Sequence, residues 1–151
     1  LDPLGYPRSG RCNEAGREYR DHRDEHPVAN FTDPRDHPNP APDLQVAPGE
    51  RVLVVGTSEF VWRPFLLAER LERAGADVRF SSTSRSPIAL GHCIDHALSF
   101  SDNYGLGIPN FLYNVAPGQF DRVLICSETP AAAVDPALIS ALNAQVIVDD
   151  K

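Results

Sequence analysis

Lysine is almost missing from this chain. Of its 14 cationic side chains, only the last residue, Lys151, is a lysine. That excludes a phosphate-binding loop ending in Gly-Lys-Ser/Thr and an internal Schiff-base lysine. Any cationic contact to phosphate must come from arginine. A Gly-x-Gly-x-x-Gly stretch is also missing, so no dinucleotide cofactor is expected, and the sequence names no other cofactor. Methionine is absent and the first residue is Leu1, which reads as a piece of a longer polypeptide with something N-terminal to it. The three cysteines, Cys12, Cys93 and Cys126, have no paired spacing. With no signal-peptide core and no apolar run of membrane-spanning length, the chain reads as reduced, cytoplasmic and away from the membrane. A net charge of −7 without a basic stripe argues against a nucleic-acid partner. It leaves small anions open, because one well-placed arginine can outweigh a negative total.

What is present suffices for one core: 42% of the 151 residues are hydrophobic. They are unevenly spread. Residues 1–49 are rich in Pro, Arg, Asp and His. Asn13 can cap one polar helix running to His26, and the prolines between Asp33 and Pro42 then forbid helix or central strand. This part reads as an irregular Pro-rich arm or linker. From Glu50 to Lys151 the pattern is that of an α/β domain. Arg51-Val52-Leu53-Val54-Val55-Gly56 is a continuous β-branched run, as in a parallel strand buried on both faces. Pro64 suits the first turn of a helix through Leu67 and Leu71 that stops at Gly75. Further strands are predicted at residues 77–81, 98–100, 122–126 and 145–148. Ser86-Pro87 is expected to start a short helix through Ile88, Ile94 and Ala97, and Asp135-Pro136 another through Leu138 and Leu142. Residues 102–113 give no clear pattern. The alternation predicts a Rossmann-like three-layer α/β domain with a mostly parallel sheet.

In such a sheet, ligands bind beyond the carboxyl ends of the strands. Three loops leave those ends, and each is dense in hydroxyls: Gly56-Thr57-Ser58-Glu59, Ser82-Thr83-Ser84-Arg85-Ser86-Pro87 and Ser127-Glu128-Thr129-Pro130. Hydroxyls beside free N–H groups can cradle an anion, and Arg85 supplies a forked charge for phosphate or carboxylate. The same Ser and Thr residues also serve simply to cap helices. Glu59 and Glu128 can act as ribose-hydroxyl acceptors, metal ligands or bases, or only as favourable carboxylates at helix N-termini. His92 and His96 stand at metal-ligand spacing on a possible helix, but Cys93 occupies the place of the glutamate a zincin needs, and no metal is expected. Cys126 ends an apolar run and reads as a small core residue.

The run Val52-Leu53-Val54-Val55-Gly56-Thr57-Ser58-Glu59-Phe60, then Pro64-Phe65-Leu66-Leu67-Ala68, then Ser84-Arg85-Ser86-Pro87, resembles the TRSP domain. That family is named for a Thr-Arg-Ser-Pro signature and lies C-terminal to a phosphoribosyltransferase domain. Asp102-Asn103-Tyr104-Gly105-Leu106-Gly107-Ile108-Pro109-Asn110-Phe111-Leu112-Tyr113-Asn114 and Glu128-Thr129-Pro130 resemble its later motifs. Ser84 stands where the signature has Thr and keeps the hydroxyl. The resemblance implies an upstream phosphoribosyltransferase domain as partner and a setting of tellurium resistance and stress. By association it also implies a phosphorylated, ribose-containing or nucleotide-like ligand. On that expectation Ser84, Arg85 and Ser86 hold phosphate, Thr57, Ser58 and Glu59 hold ribose or a second phosphate, Asp102, Asn103 and Tyr104 form a flap or a base-recognition wall, and Thr129 also binds the ligand. Glu59, Asp102 and Glu128 are then the candidate catalytic acids. Whether the domain catalyses a reaction stays open. The other reading is a docking module for the phosphoribosyltransferase domain, with the hydroxyls as ordinary caps.

Overall fold

A computed structural model describes residues 41–149; the polar helix expected at residues 13–26 and the run from Asp33 to Pro40 lie outside the described residues. The described chain forms β1 (Arg51–Gly56), α1 (Trp62–Arg73), β2 (Asp77–Ser82), β3 (Ala97–Ser101), β4 (Pro109–Tyr113), β5 (Arg122–Ser127), a 3-10 turn (Ala131–Ala133), α2 (Pro136–Leu142) and β6 (Gln145–Val148).

Four strands make one parallel sheet in the order β2-β1-β5-β6. The β-branched run of β1 occupies an interior position, with Val52 through Gly56 all buried. Val52, Val54, Leu124, Cys126 and Ile147 face one side, where Leu67, Ala68 and Leu71 of α1 cover them. Leu53, Val55, Val123 and Ile125 face the other, beneath Leu138 and Leu142 of α2 and Leu112 of β4. Each fully buried Leu contributes roughly 1.5–3 kcal/mol. The domain is therefore α/β with a mostly parallel sheet, as the sequence predicts.

Local chemistry sets the ends of the helices. Pro64 sits in the first turn of α1 and is buried, and Gly75 takes a φ of 104° just beyond its C-cap, Ala74. Asp135 caps α2 by accepting the Ala137 N–H at 2.8 Å, with Pro136 at the first helical position. The last residues before β1 lie against the core: the partly buried Leu44 and Val46 pack on the α1 side, and Arg70 Nη2 donates to the Ala41 carbonyl at 2.6 Å.

Residues 98–100 form a strand as expected, and it pairs antiparallel with β4 in a separate two-stranded ribbon outside the parallel sheet. One expectation is corrected. The helix expected after Ser86-Pro87 does not form. Ser84 exchanges two backbone hydrogen bonds with Phe111, at 2.9 and 2.8 Å, and Ser84 Oγ accepts the Ser86 N–H at 3.1 Å. Tyr113 Oη donates to the Ser86 carbonyl at 2.6 Å and accepts the Ile88 N–H at 2.7 Å. This stitching holds the segment extended along β4. Gly91 (φ 125°) and His92 (φ 54°) then break any helical continuation.

Candidate functional site at the carboxyl edge of the sheet

The chain leaves β1 toward β2, then returns past it to β5, so the strand order reverses between β1 and β5. Ligands of open α/β sheets bind at such a reversal. At this one, Thr57 Oγ1 donates to the Cys126 carbonyl at 3.2 Å, tying the two strand ends together. The turn after β1 is tight: the Phe60 N–H donates to the Thr57 carbonyl at 2.9 Å, and a Cβ on Gly56 would meet the Phe60 oxygen at 2.5 Å. Ser58 takes a φ of 51°, and its N–H donates to Thr83 Oγ1 at 2.8 Å. Loops one and two are thereby joined. Ser58 Oγ also lies 3.5 Å from Asn110 Oδ1, a weak donation into an amide that is itself almost fully buried.

The segment after β3 closes over the third loop. Asp102 is buried and spends its carboxylate on its own loop. It accepts the N–H groups of Tyr104 (2.8 Å), Leu106 (3.0 Å) and Ile108 (2.9 Å). These bonds, that of Leu106 foremost, hold its carboxyl below the usual range against the opposing effect of burial. The loop needs Gly105 and Gly107 at φ values of 71° and 68°. So held, Asn103 Nδ2 donates to Ser127 Oγ at 3.2 Å and to Thr129 Oγ1 at 2.9 Å, while those two hydroxyls stand 2.8 Å apart. Tyr104 Oη donates to Glu128 Oε1 at 2.9 Å. Burial, then the Glu128 carboxylate, raise the Tyr104 phenol above its ordinary value, so it remains a donor.

The candidate residues therefore fall into three sets. Thr57, Ser58, Asn103, Tyr104, Glu128 and Thr129 belong to a contact network around the β1–β5 reversal, with Asp102 as its brace. Glu59 and Arg85 are exposed, and neither side chain has a hydrogen-bond or ion-pair partner among the described residues. Ser84 and Ser86 serve the extended segment along β4. With no helix after Pro87, Arg85 has no helix N-terminus beside it.

Sequence reasoning gave no role to three buried polar side chains, Thr83, Asn110 and Asp149. Thr83 and Asn110 fill the same edge, and Asp149, just after β6, forms a 2.6 Å ion pair with Arg63 in the first turn of α1. Thr83 stood within a motif already singled out. The Arg63–Asp149 pair joins residues 86 positions apart and has no local signal. Burial, helped by the Asp149 charge, pushes the Cys126 thiol up to about 12, which suits a core residue and not a nucleophile. His92 lies in a tight turn where Gly91 and Ile94 exchange backbone hydrogen bonds at 2.9 and 3.0 Å, so the two histidines do not share a helix face. No group of three or more metal-binding side chains occurs among the described residues, and no described helix is long and apolar enough to cross a membrane.

Fold and edge together define an α/β domain whose polar loops gather at the carboxyl ends of parallel strands. The family model described as "TRSP domain C terminus to PRTase_2" matches residues 35–142. The chain belongs to the TRSP domain family, whose members lie C-terminal to a phosphoribosyltransferase domain. No curated protein and no solved structure gives a significant match.

Proposed function

We propose that this is a Rossmann-like, three-layer domain of a cytoplasmic protein that binds a phosphorylated, ribose-containing ligand made or used by the phosphoribosyltransferase domain upstream. The observation that carries the reading is the convergence of Thr57, Asn103, Tyr104, Glu128 and Thr129 on the β1–β5 reversal. Glu128, steadied by Tyr104, is the ribose-hydroxyl acceptor, and a base if the domain catalyses. Asp102 acts through the loop it braces. Arg85 is the phosphate clamp: an exposed guanidinium in a hydroxyl-rich loop, with no structural partner among the described residues to surrender. Ser84 and Ser86 fix the backbone that carries it, and Ser58 and Glu59 flank the ligand on the β1 side. A role in stress or tellurium resistance remains part of this proposal.

Calorimetric titration with nucleotides and phosphoribosyl compounds tests it. A ligand at 100-fold excess over Kd adds about 2.7 kcal/mol of stability, a visible rise in Tm. Arg85→Ala should weaken binding about ten- to a hundred-fold. Arg85→Lys should recover part of this, since an ammonium cannot reproduce the fork. If no phosphorylated ribose compound binds, the proposal fails.

One observation favours the second reading, a non-catalytic docking module for the phosphoribosyltransferase domain. The hydroxyls of Thr57, Thr83, Ser127 and Thr129 already satisfy one another and their neighbours. On that reading, substitutions in the network lower Tm and leave no affinity to lose.

A further inference from the structure

Helix α1 covers one side of the parallel sheet, and its two flanks differ. Toward β6 the layer is continued by the chain before β1: Ala41, Leu44 and Ile147 border one groove there, and Arg70 holds the Ala41 carbonyl. Toward β2 the layer stops, and the aromatic side chains on that flank stand in water. Trp62 and Phe65 are each 44% exposed and Phe80 is 38% exposed. Trp62, Phe65, Glu69 and Glu72 recur at three- and four-residue spacing and so share this flank of the helix. The rings make one surface: Phe65 stacks on Trp62 at 5.8 Å and meets Phe80 edge-on at 5.7 Å. Beside them a groove of about 270 Å³ runs between α1 and β2, lined by Phe65, Ala68, Glu69, Glu72, Val78 and Phe80. Contiguous exposed aromatics rimmed by polar groups mark protein interfaces.

We propose that this flank is the seat of the phosphoribosyltransferase domain that precedes the TRSP domain, and that the seated surface is an apolar ridge bordered by Arg or Lys. The inference rests on docking to that domain, the second reading above, and not on a ligand at the carboxyl edge. The family places such a domain ahead of this one in the same polypeptide. A tethered neighbour meets the patch at millimolar effective concentration, so three rings and a small groove suffice. An independent partner needs a larger face, of roughly 800 Å² per side. Charge argues against a second copy of this chain. Packing groove on groove about a two-fold axis sets Glu69 and Glu72 against the same carboxylates of the other copy, which is unfavourable. Arg73 offsets Glu69 at 2.7 Å, whereas Glu72 has no ion-pair partner among the described residues. A cation on the seated domain supplies one. Position agrees: Trp62 lies three residues beyond Glu59, so a domain seated on it stands next to the loops of the carboxyl edge.

Hydroxyl-radical footprinting tests the seat by comparing the 151-residue chain with the polypeptide that carries the phosphoribosyltransferase domain ahead of it. Oxidation of Trp62, Phe65 and Phe80 should drop sharply in the longer polypeptide, while Leu90, 63% exposed on a different segment, should react equally in both. Phe65→Gln and Glu72→Arg alter exposed side chains and leave the core intact. In each variant the difference between the two polypeptides at Trp62 and Phe80 should be lost. Taking the difference within one variant cancels any direct effect of the substitution on the rings. If the three rings stay equally reactive while another face is protected, docking stands and this seat is overturned. If no face is protected, both fall. Protection of the rings that survives both substitutions also overturns the seat.

Discussion

The two ends of the parallel sheet are held by opposite chemistry. At the amino end the ties are charged and at least partly exposed. Arg51 grips Asp121 through two side-chain nitrogens and its own N–H, at 2.6 to 3.2 Å, with about half of each side chain in water. Arg122 pairs with Glu50 at 2.8 Å. At the carboxyl end the ties are mostly neutral and buried: Thr57, Thr83, Asn103, Asn110 and Ser127 are each under a tenth exposed. Solvated ion pairs contribute little and tolerate exchange. A buried hydroxyl–amide network is rigid when complete and costly when one member is lost. The amino end is therefore fastened in a replaceable way. The carboxyl end is preorganised, as a ligand-binding edge needs to be.

Substitution can break this contrast, and the largest effect should come at Gly56. A methyl there meets the Phe60 carbonyl at 2.5 Å, so Gly56→Ala should cost about 1–3 kcal/mol in chemical denaturation, as overpacking does. Next comes Asn103→Leu, which leaves the Ser127 and Thr129 hydroxyls without their amide donor. A loss of roughly 1–3 kcal/mol is expected there. If Asn103→Leu proved neutral, the carboxyl end would not be the preorganised one.

The amino end should respond more weakly, and to pH. Hydrogen bonds from Arg51 hold the Asp121 carboxyl at about 2, below its ordinary 3.8. A carboxyl depressed on folding stabilises fully above its unfolded pKa and loses that contribution as pH falls through the folded one. The Arg51–Asp121 contribution should therefore be complete above about pH 4 and fade toward pH 2. Asp121→Asn should lower Tm slightly at neutral pH and flatten the acid limb in a series of thermal melts. The smallest stability effect belongs to Arg85→Ala, within about 0.5 kcal/mol of the parent. A large fall in Tm would mean that Arg85 has a structural partner, and the phosphate clamp would have to be abandoned.

Much of the frame was legible from local chemistry. Residues 52–55 and 123–125 are apolar and largely β-branched without alternation, as in a strand buried on both faces. Pro64, Gly75 and the Asp135-Pro136 pair marked helix ends by mechanisms that act within a few residues. The segment from Ser86 to Tyr113 was not legible in the same way. Ser-Pro is a sound helix start, yet Phe111 and Tyr113, more than twenty residues away, hold this stretch extended. Of the candidate site, the hydroxyl-rich loops could be named from sequence. Their pairing could not, because Asn103 reaches Thr129 across 26 residues and Tyr104 reaches Glu128 across 24.

What the sequence determines alone is therefore whatever burial pattern and backbone stereochemistry decide within one element: strand or helix, where each stops, and which residue types collect at strand ends. It also determines that arginine must serve wherever a cation is needed. Tertiary structure decides which of those end groups meet. It gives Asp102 to its own loop, Tyr104 to Glu128 and Arg63 to Asp149, and leaves Arg85 exposed. The reason is that a hydrogen bond or ion pair forms only within about 3–4 Å. Bringing residues from different loops to that distance is the work of the packed sheet, and no spacing along the chain encodes it.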